Sequence, residues 1–154
     1  YAGLMIVKNE PYLIEYNIRM GDPECQSILT RLETDLLEII CASIDNNILD
    51  LNIEWKKEKS ICIALCAKGY PDKPKKNIEI KKINNIELEK NEFIFHAGTY
   101  QKDAKIYSNG GRVLNIVTLS HDLLEARNNA IKIINNLDWK DGFYRKDIAW
   151  KAIK

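Results

Sequence analysis

A chain of 154 residues is long enough for one compact domain with a core of useful size. Its 45% apolar and 29% charged residues are the composition of a soluble globular protein. A formal net charge of +1 excludes a global field that would draw it to nucleic acid or to a membrane, and the longest apolar runs, such as Ile61 to Ala67, are far too short to span a bilayer.

In chain order, Tyr1 to Val7 and Tyr12 to Asn17 are apolar stretches on either side of Asn9-Glu10-Pro11 and predict a β-hairpin. The chain opens at Tyr1 as a strand already in progress, with no segment shaped like a signal peptide, so it is expected to be a fragment of a longer protein. Gly21-Asp22-Pro23 breaks the second strand, and Pro23 suits the first position of a helix. Leu36, Leu37, Ile40, Cys41 and Ile44 recur at helical spacing, with Thr34 as the expected cap and Asn46-Asn47 as the end. The texture changes near Asn52 to Ser60. Beyond it, short β-rich runs alternate with turns: Ile61 to Ala67, Ile78 to Ile83, Phe93 to Ala97, Ala104 to Tyr107 and Arg112 to Leu119. Asn109-Gly110 predicts a hairpin turn between the last two. Asp122 to Leu137 reads as an amphipathic helix with Leu123, Ala130, Ile134 and Leu137 on one stripe and Ser120 as its cap. The expected fold class is α+β: residues 1–52 as the tail of one α/β unit, and residues 53–154 as a small β-rich domain with one packed helix.

There are four cysteines, at 25, 41, 62 and 66. Cys62 and Cys66 share one strand-like run and point to one face, but about 13 Å separates them along a strand. That is too far for one disulfide or one zinc. Small buried apolar residues in a reducing cytoplasm are the expectation.

The densest chemistry lies in Ile14-Glu15-Tyr16-Asn17-Ile18-Arg19-Met20-Gly21-Asp22-Pro23-Glu24. On a strand, Glu15, Asn17 and Arg19 face one side, about 7 Å apart at each step. A carboxylate and an amide oxygen so spaced suit a hard cation such as magnesium, and an arginine fork suits a carboxylate or phosphate. The same alternation also fits a half-exposed edge strand with a wet face, and the residues alone leave both readings open. His96 reads as a site residue or a packed strand histidine, and Asn109-Gly110-Gly111 as a substrate loop or a tight turn. Lys68, Lys73, Lys75, Lys76, Lys81 and Lys82 have no interleaved aromatic platform and read as a solvated face rather than a nucleic-acid surface.

Glu15-x-Asn17-x-Arg19 at a strand end resembles the metal motif of the ATP-grasp superfamily. Its continuation, Gly21-Asp22-Pro23-Glu24-Cys25-Gln26, resembles that of the phosphoribosylamine–glycine ligases. Tyr1-Ala2-Gly3-Leu4-Met5, Gly69-Tyr70-Pro71, Phe95-His96-Ala97-Gly98-Thr99, Asn109-Gly110-Gly111-Arg112-Val113-Leu114 and Phe143-Tyr144-Arg145-Lys146-Asp147-Ile148 are similar to further segments of that family, in the same order. The departures are Met20, the Asp72-Lys73-Pro74 run after Gly-Tyr-Pro, Ala149 where glycine is usual, and Lys151 where arginine is more common.

The resemblance implies residues 1–52 as the tail of an ATP-grasp catalytic domain and residues 53–154 as the family's C-terminal domain. It implies a cytoplasmic, ATP-dependent ligase joining glycine to 5-phosphoribosylamine through glycyl phosphate. Glu15 and Asn17 would be ligands to Mg2+ (or Mn2+), Arg19 and Asp22 catalytic residues, and Gly21, Glu24, Gly110, Gly111 and Arg112 substrate-binding. The glycine-rich lid, the phosphate-holding lysine and the upstream domain are absent from these residues, so the piece alone is expected to be inactive, with the missing N-terminal part as its partner. Its rivals are another ATP-grasp carboxylate–amine ligase, disfavoured by Gly-Asp-Pro-Glu, and a stand-alone β-rich binding module.

Overall fold

A computed structural model describes residues 1–153; Lys154, the last residue of the expected second unit, lies outside them. The chain is α+β. Strands β1 (Ala2–Val7) and β2 (Glu10–Tyr16) pair antiparallel as the expected hairpin, turning through Lys8 and Asn9, both at positive φ. Helix α1 (Glu24–Leu29) begins one residue later than predicted, so Pro23 stands at the N-cap and not inside the first turn. Helix α2 (Leu36–Ile44) is capped by Asp35, whose side chain accepts from the Leu37 N–H at 2.7 Å. The predicted cap, Thr34, instead accepts from the Glu54 N–H at 2.7 Å and ties the chain to the approach to the next strand. Both residue types cap helices, and the one nearer the first turn wins.

The main sheet has four antiparallel strands in the order β4-β7-β3-β8: β3 (Lys59–Ala67), β4 (Glu92–His96), β7 (Arg112–Ser120) and β8 (Gly142–Phe143). Helix α3 (Leu123–Leu137) lies on one face, where Ala126, Ala130, Ile133, Ile134 and Leu137 pack against Ile61, Ile63, Leu65, Leu114 and Ile116. Fully burying each Ile or Leu of this layer contributes about 1.5–3 kcal/mol. Asp122, not Ser120, caps α3, accepting from the Glu125 N–H at 2.9 Å. Ser120 takes the Asp122 N–H at 3.2 Å, one step back along the same turn. Helix α1 covers the other face, reaching β3 and β7, so part of the segment before the expected boundary at residue 52 packs on the sheet that follows it. The Thr30 and Ser60 hydroxyls approach to 3.4 Å, and Arg31 donates to the Glu58 and Lys56 carbonyls at 2.8 and 3.1 Å.

Two predictions in the second half need correction. Ile78 to Ile83 is not a strand: the segment bonds along Ile106 and Ser108 as far as Ile80, then turns into a short 3-10 segment at Ile83–Asn85. The polar Lys81-Lys82 and Asn84-Asn85 pairs favour the turn. Asn109-Gly110 is not a hairpin turn. Strand β6 (Lys105–Ser108) pairs with β5 (Thr99–Lys102), whereas β7 pairs with β4 and β3, so residues 109–111 carry the chain from one sheet into the other.

Candidate substrate and metal site

Two of the segments that carried the chemistry in the sequence, Gly21-Asp22-Pro23-Glu24 and Asn109-Gly110-Gly111-Arg112, meet at the start of β7. Gly98, in the turn between β4 and β5, lies so close to Gly110 that a Cβ on Gly98 would stand 2.9 Å from the Gly110 Cα. The Asn109 N–H donates to the Gly98 carbonyl at 2.7 Å. A Cβ on Gly111 would collide with the Tyr70 ring. Tyr70 follows Gly69, whose φ of +93° turns the chain so that the Lys73 N–H reaches the Gly69 carbonyl at 2.8 Å. Packing against Gly98 and Tyr70 thus leaves little room for a Cβ at 110 and none at 111.

Those contacts fix Arg112, whose guanidinium meets Asp22. Arg112 Nη1 donates to the Asp22 carbonyl and Nη2 lies 3.5 Å from Asp22 Oδ2, with the two side chains 39% and 49% exposed. Asp22 Oδ1 also accepts from Gln26 Nε2 and from Asn115 Nδ2, each at 3.2 Å. The Gly-Asp-Pro-Glu loop is closed on itself by the Gly21 N–H donating to Glu24 Oε1 at 2.7 Å and the Cys25 N–H to the Gly21 carbonyl at 2.9 Å. Asp22, Gly21, Glu24 and Arg112 therefore come together as one group.

The metal-ligand candidates lie on the hairpin side. Glu15 is on β2 and exposed. Asn17 lies one residue past the strand, exchanging backbone hydrogen bonds with Tyr1 at 2.8 and 2.6 Å. Its side-chain nitrogen is buried without a partner among the described residues. That nitrogen is a hydrogen-bond donor and calls for an acceptor rather than a cation; the atoms of this pair that suit a hard cation are the Asn17 amide oxygen and the Glu15 carboxylate two residues before it. Arg19 is not on the strand face predicted for it: the backbone bends at Ile18 and Arg19, and Nη1 donates to the Met20 carbonyl at 3.2 Å. His96 sits at the end of β4 with its Nδ1 2.8 Å from the Thr99 hydroxyl.

Sequence reasoning missed Asn115 as a site residue and read Gln26 only as part of a motif. The signal for Asn115 was a lone amide inside Val113-Leu114-Asn115-Ile116-Val117, a run that is otherwise apolar and fully buried. Two thiols lie beneath the loop on the same sheet face. Burial, with the Asp22 charge adding to it, pushes the Cys62 thiol up to about 12. Burial also raises Cys66, against the opposing pull of Arg112. All four cysteines are free.

Residues 60–151 match the family model of the phosphoribosylglycinamide synthetase C domain. The chain belongs to that family. It is 42% identical over its whole length to a phosphoribosylamine–glycine ligase of Brucella melitensis biotype 1, covering 36% of that protein. It is 44% identical over 97% of its length to one from Caldanaerobacter subterraneus subsp. tengcongensis, covering 35% of it. The crystal structure of the Thermotoga maritima phosphoribosylamine–glycine ligase aligns with a TM-score of 0.73 and 33% identity over 96% of this chain and 36% of that one. The chain thus spans about a third of the length of these relatives. The matched residues begin on β3, and the hairpin, α1 and α2 precede them.

Proposed function

We propose that this chain is the C-terminal part of an ATP-dependent ligase that joins glycine to 5-phosphoribosylamine, giving glycinamide ribonucleotide, ADP and phosphate. The observation that carries the reading is the meeting of Asp22 and Arg112: the loop that follows the metal strand is docked on the family's C domain. The remaining portion of the enzyme would supply the nucleotide lid, the lysine that holds ATP phosphates and the domain that positions glycine. On this reading the enzyme works in the cytoplasm, with its four cysteines reduced.

A carboxylate is a poor electrophile. Its oxygen first takes the γ-phosphoryl group of ATP, releasing ADP and leaving glycyl phosphate. The amine of phosphoribosylamine then attacks the carbonyl carbon, phosphate leaves, and the nitrogen gives up a proton. Glu15 and Asn17 would hold Mg2+ (or Mn2+), which supplies charge neutralisation at the phosphates. Arg19, bonded among the described residues to the neighbouring Met20 carbonyl, would turn its fork onto the acyl phosphate. Gly21 and Glu24 shape the loop beside it, and Arg112 presents its remaining N–H groups to the phosphate of the ribonucleotide. Gly110 and Gly111 serve by setting Arg112 in place. Asp22 anchors the loop at the reacting end.

The test joins this chain to the portion of the Brucella melitensis ligase that precedes its matched region and assays glycinamide ribonucleotide formation. The chimera is expected to be active. The 154-residue chain alone is expected to be inactive and to show no micromolar affinity for Mg-ATP by calorimetry. In the chimera, Glu15→Gln is expected to lower kcat far more than it raises KM for ATP, because charge neutralisation matters most during transfer. Arg112→Ala is expected to raise KM for phosphoribosylamine and leave that for ATP nearly unchanged. Parental kinetics in both variants would sink the site assignment.

A further inference from the structure

We propose that Asn115 is a positioning residue that, with Gln26 and Arg112, clamps Asp22 and thereby fixes the strand-end loop, residues 17–24, against the sheet. Only the consequence for turnover rests on the ligase reading.

Asn115 sits in the middle of β7, opposite Ala64 of β3 and Phe95 of β4, and is 0% exposed. Leaving a polar side chain unpaired there would cost about 1–3 kcal/mol, and an apolar residue would fit the strand without that cost. Its one hydrogen bond among the described residues runs from Nδ2 to Asp22 Oδ1, and Oδ1 of Asn115 has no partner. An ionised carboxylate only accepts, so the bond sets which way the amide points. Gln26, on α1, sends Nε2 to the same Asp22 oxygen and likewise leaves its own oxygen unpartnered. Arg112 takes the backbone carbonyl and faces the second carboxylate oxygen. Asp22 is thus held from β7 by two side chains and from α1 by a third. An Asp engaged in this way acts through what it holds, and is a positioning residue rather than a group that meets the reacting atoms.

What it holds is short. Four residues separate Asp22 from Asn17, and Asn17 is tied by its backbone to Tyr1 at the root of the hairpin. The clamp therefore sets where the Glu15–Asn17 strand end stands relative to Arg112.

The first measurement is amide hydrogen exchange in the 154-residue chain. Asn115→Leu keeps the branched outline of the side chain and removes the donor. It is expected to quicken exchange at Gly21 and Cys25 about tenfold, the factor a hydrogen bond to a charged group is worth, with α3 unchanged. Asp22→Ala, in a half-exposed loop that does not threaten the core, is expected to do the same. Unchanged loop exchange in both variants would overturn the clamp, as would a quickening spread equally over α3. The second measurement is a swap. Asn115→Asp alone sets two carboxylates face to face and is expected to free the loop further. Adding Asp22→Asn reverses donor and acceptor and is expected to restore protection; no restoration counts against the clamp. In the chimeric ligase, Asn115→Leu is expected to lower kcat about tenfold with KM for ATP nearly unchanged, and the swap to recover much of it. An inactive parent chimera would remove the ligase reading, while the exchange data would still decide the clamp.

Discussion

The sheet with α3 and the N-terminal hairpin with α2 both carry many apolar side chains, yet only the first buries them. In the sheet unit, Ile63, Leu114, Ile116, Val117 and Leu137 are essentially inaccessible. In the hairpin, Leu4, Met5, Ile6, Leu13 and Ile14 are all exposed, so both faces of a two-stranded ribbon are bare. Helix α2 likewise leaves Leu36, Leu37, Ile40 and Ile44 uncovered, with no buried residue. An isolated hairpin is marginal in water, and contiguous bare apolar surface marks a place where another surface docks. On the ligase reading, the remaining portion of the enzyme is that surface. Alternation alone makes a strand, and a second layer makes it stable.

The sharpest way to break this comparison is to delete the same methyl groups in both regions. Ile116→Ala is expected to cost about 2–5 kcal/mol in urea unfolding, because it leaves a cavity in a filled core. Ile14→Ala, on the bare hairpin, is expected to change stability by less than about 0.5 kcal/mol. Equal losses would mean that the hairpin is packed in solution. Next in size is Gly111→Ala, which drives a methyl into the Tyr70 ring and is expected to cost about 1–3 kcal/mol by the same assay.

Thiol chemistry sharpens the comparison from another side. Cys41 of α2 is exposed and is expected to react first with a disulfide reagent, well before Cys62 beneath the Asp22 loop. Cys62 is raised from 9.0 to about 12, so the folded state favours its protonated form. Its contribution is fully present below about pH 9, where the unfolded thiol is also protonated, and is lost as pH rises toward 12. Stability should therefore fall across that window, and a Cys62→Ala chain should lose part of the slope. The smallest effect expected is at Ala149, whose φ of +63° is a left-handed conformation that L side chains disfavour. Ala149→Gly is expected to raise stability by about 0.5–1 kcal/mol, measured as a shift in Tm.

What the sequence made legible was whatever is decided locally. The hairpin, α3 and the long strands β3 and β7 follow from the spacing of apolar residues, and Glu15, Asn17 and Gly21-Asp22-Pro23-Glu24 were legible as a chemical unit. The misreadings share one cause. Asn109-Gly110 has good turn chemistry, but Gly98 and Tyr70, distant in sequence, decide what it does. Arg19 was placed on a strand face because alternation carries no signal of where a strand ends. Asn115 was visible as an anomaly within an apolar run, and only Asp22, 93 residues away, gives it a reason.

Native-state hydrogen exchange resolved by residue across the unmodified 154-residue chain tests the contrast between the two regions most directly. Amides of Ile63, Leu65, Ile116 and Val117 are predicted to exchange only through global unfolding, and those paired within β1 and β2 at least about a hundredfold faster, through local opening. Protection of the hairpin amides equal to that of β3 and β7 would contradict the account, because it would mean that the sheet unit and the hairpin unfold as one.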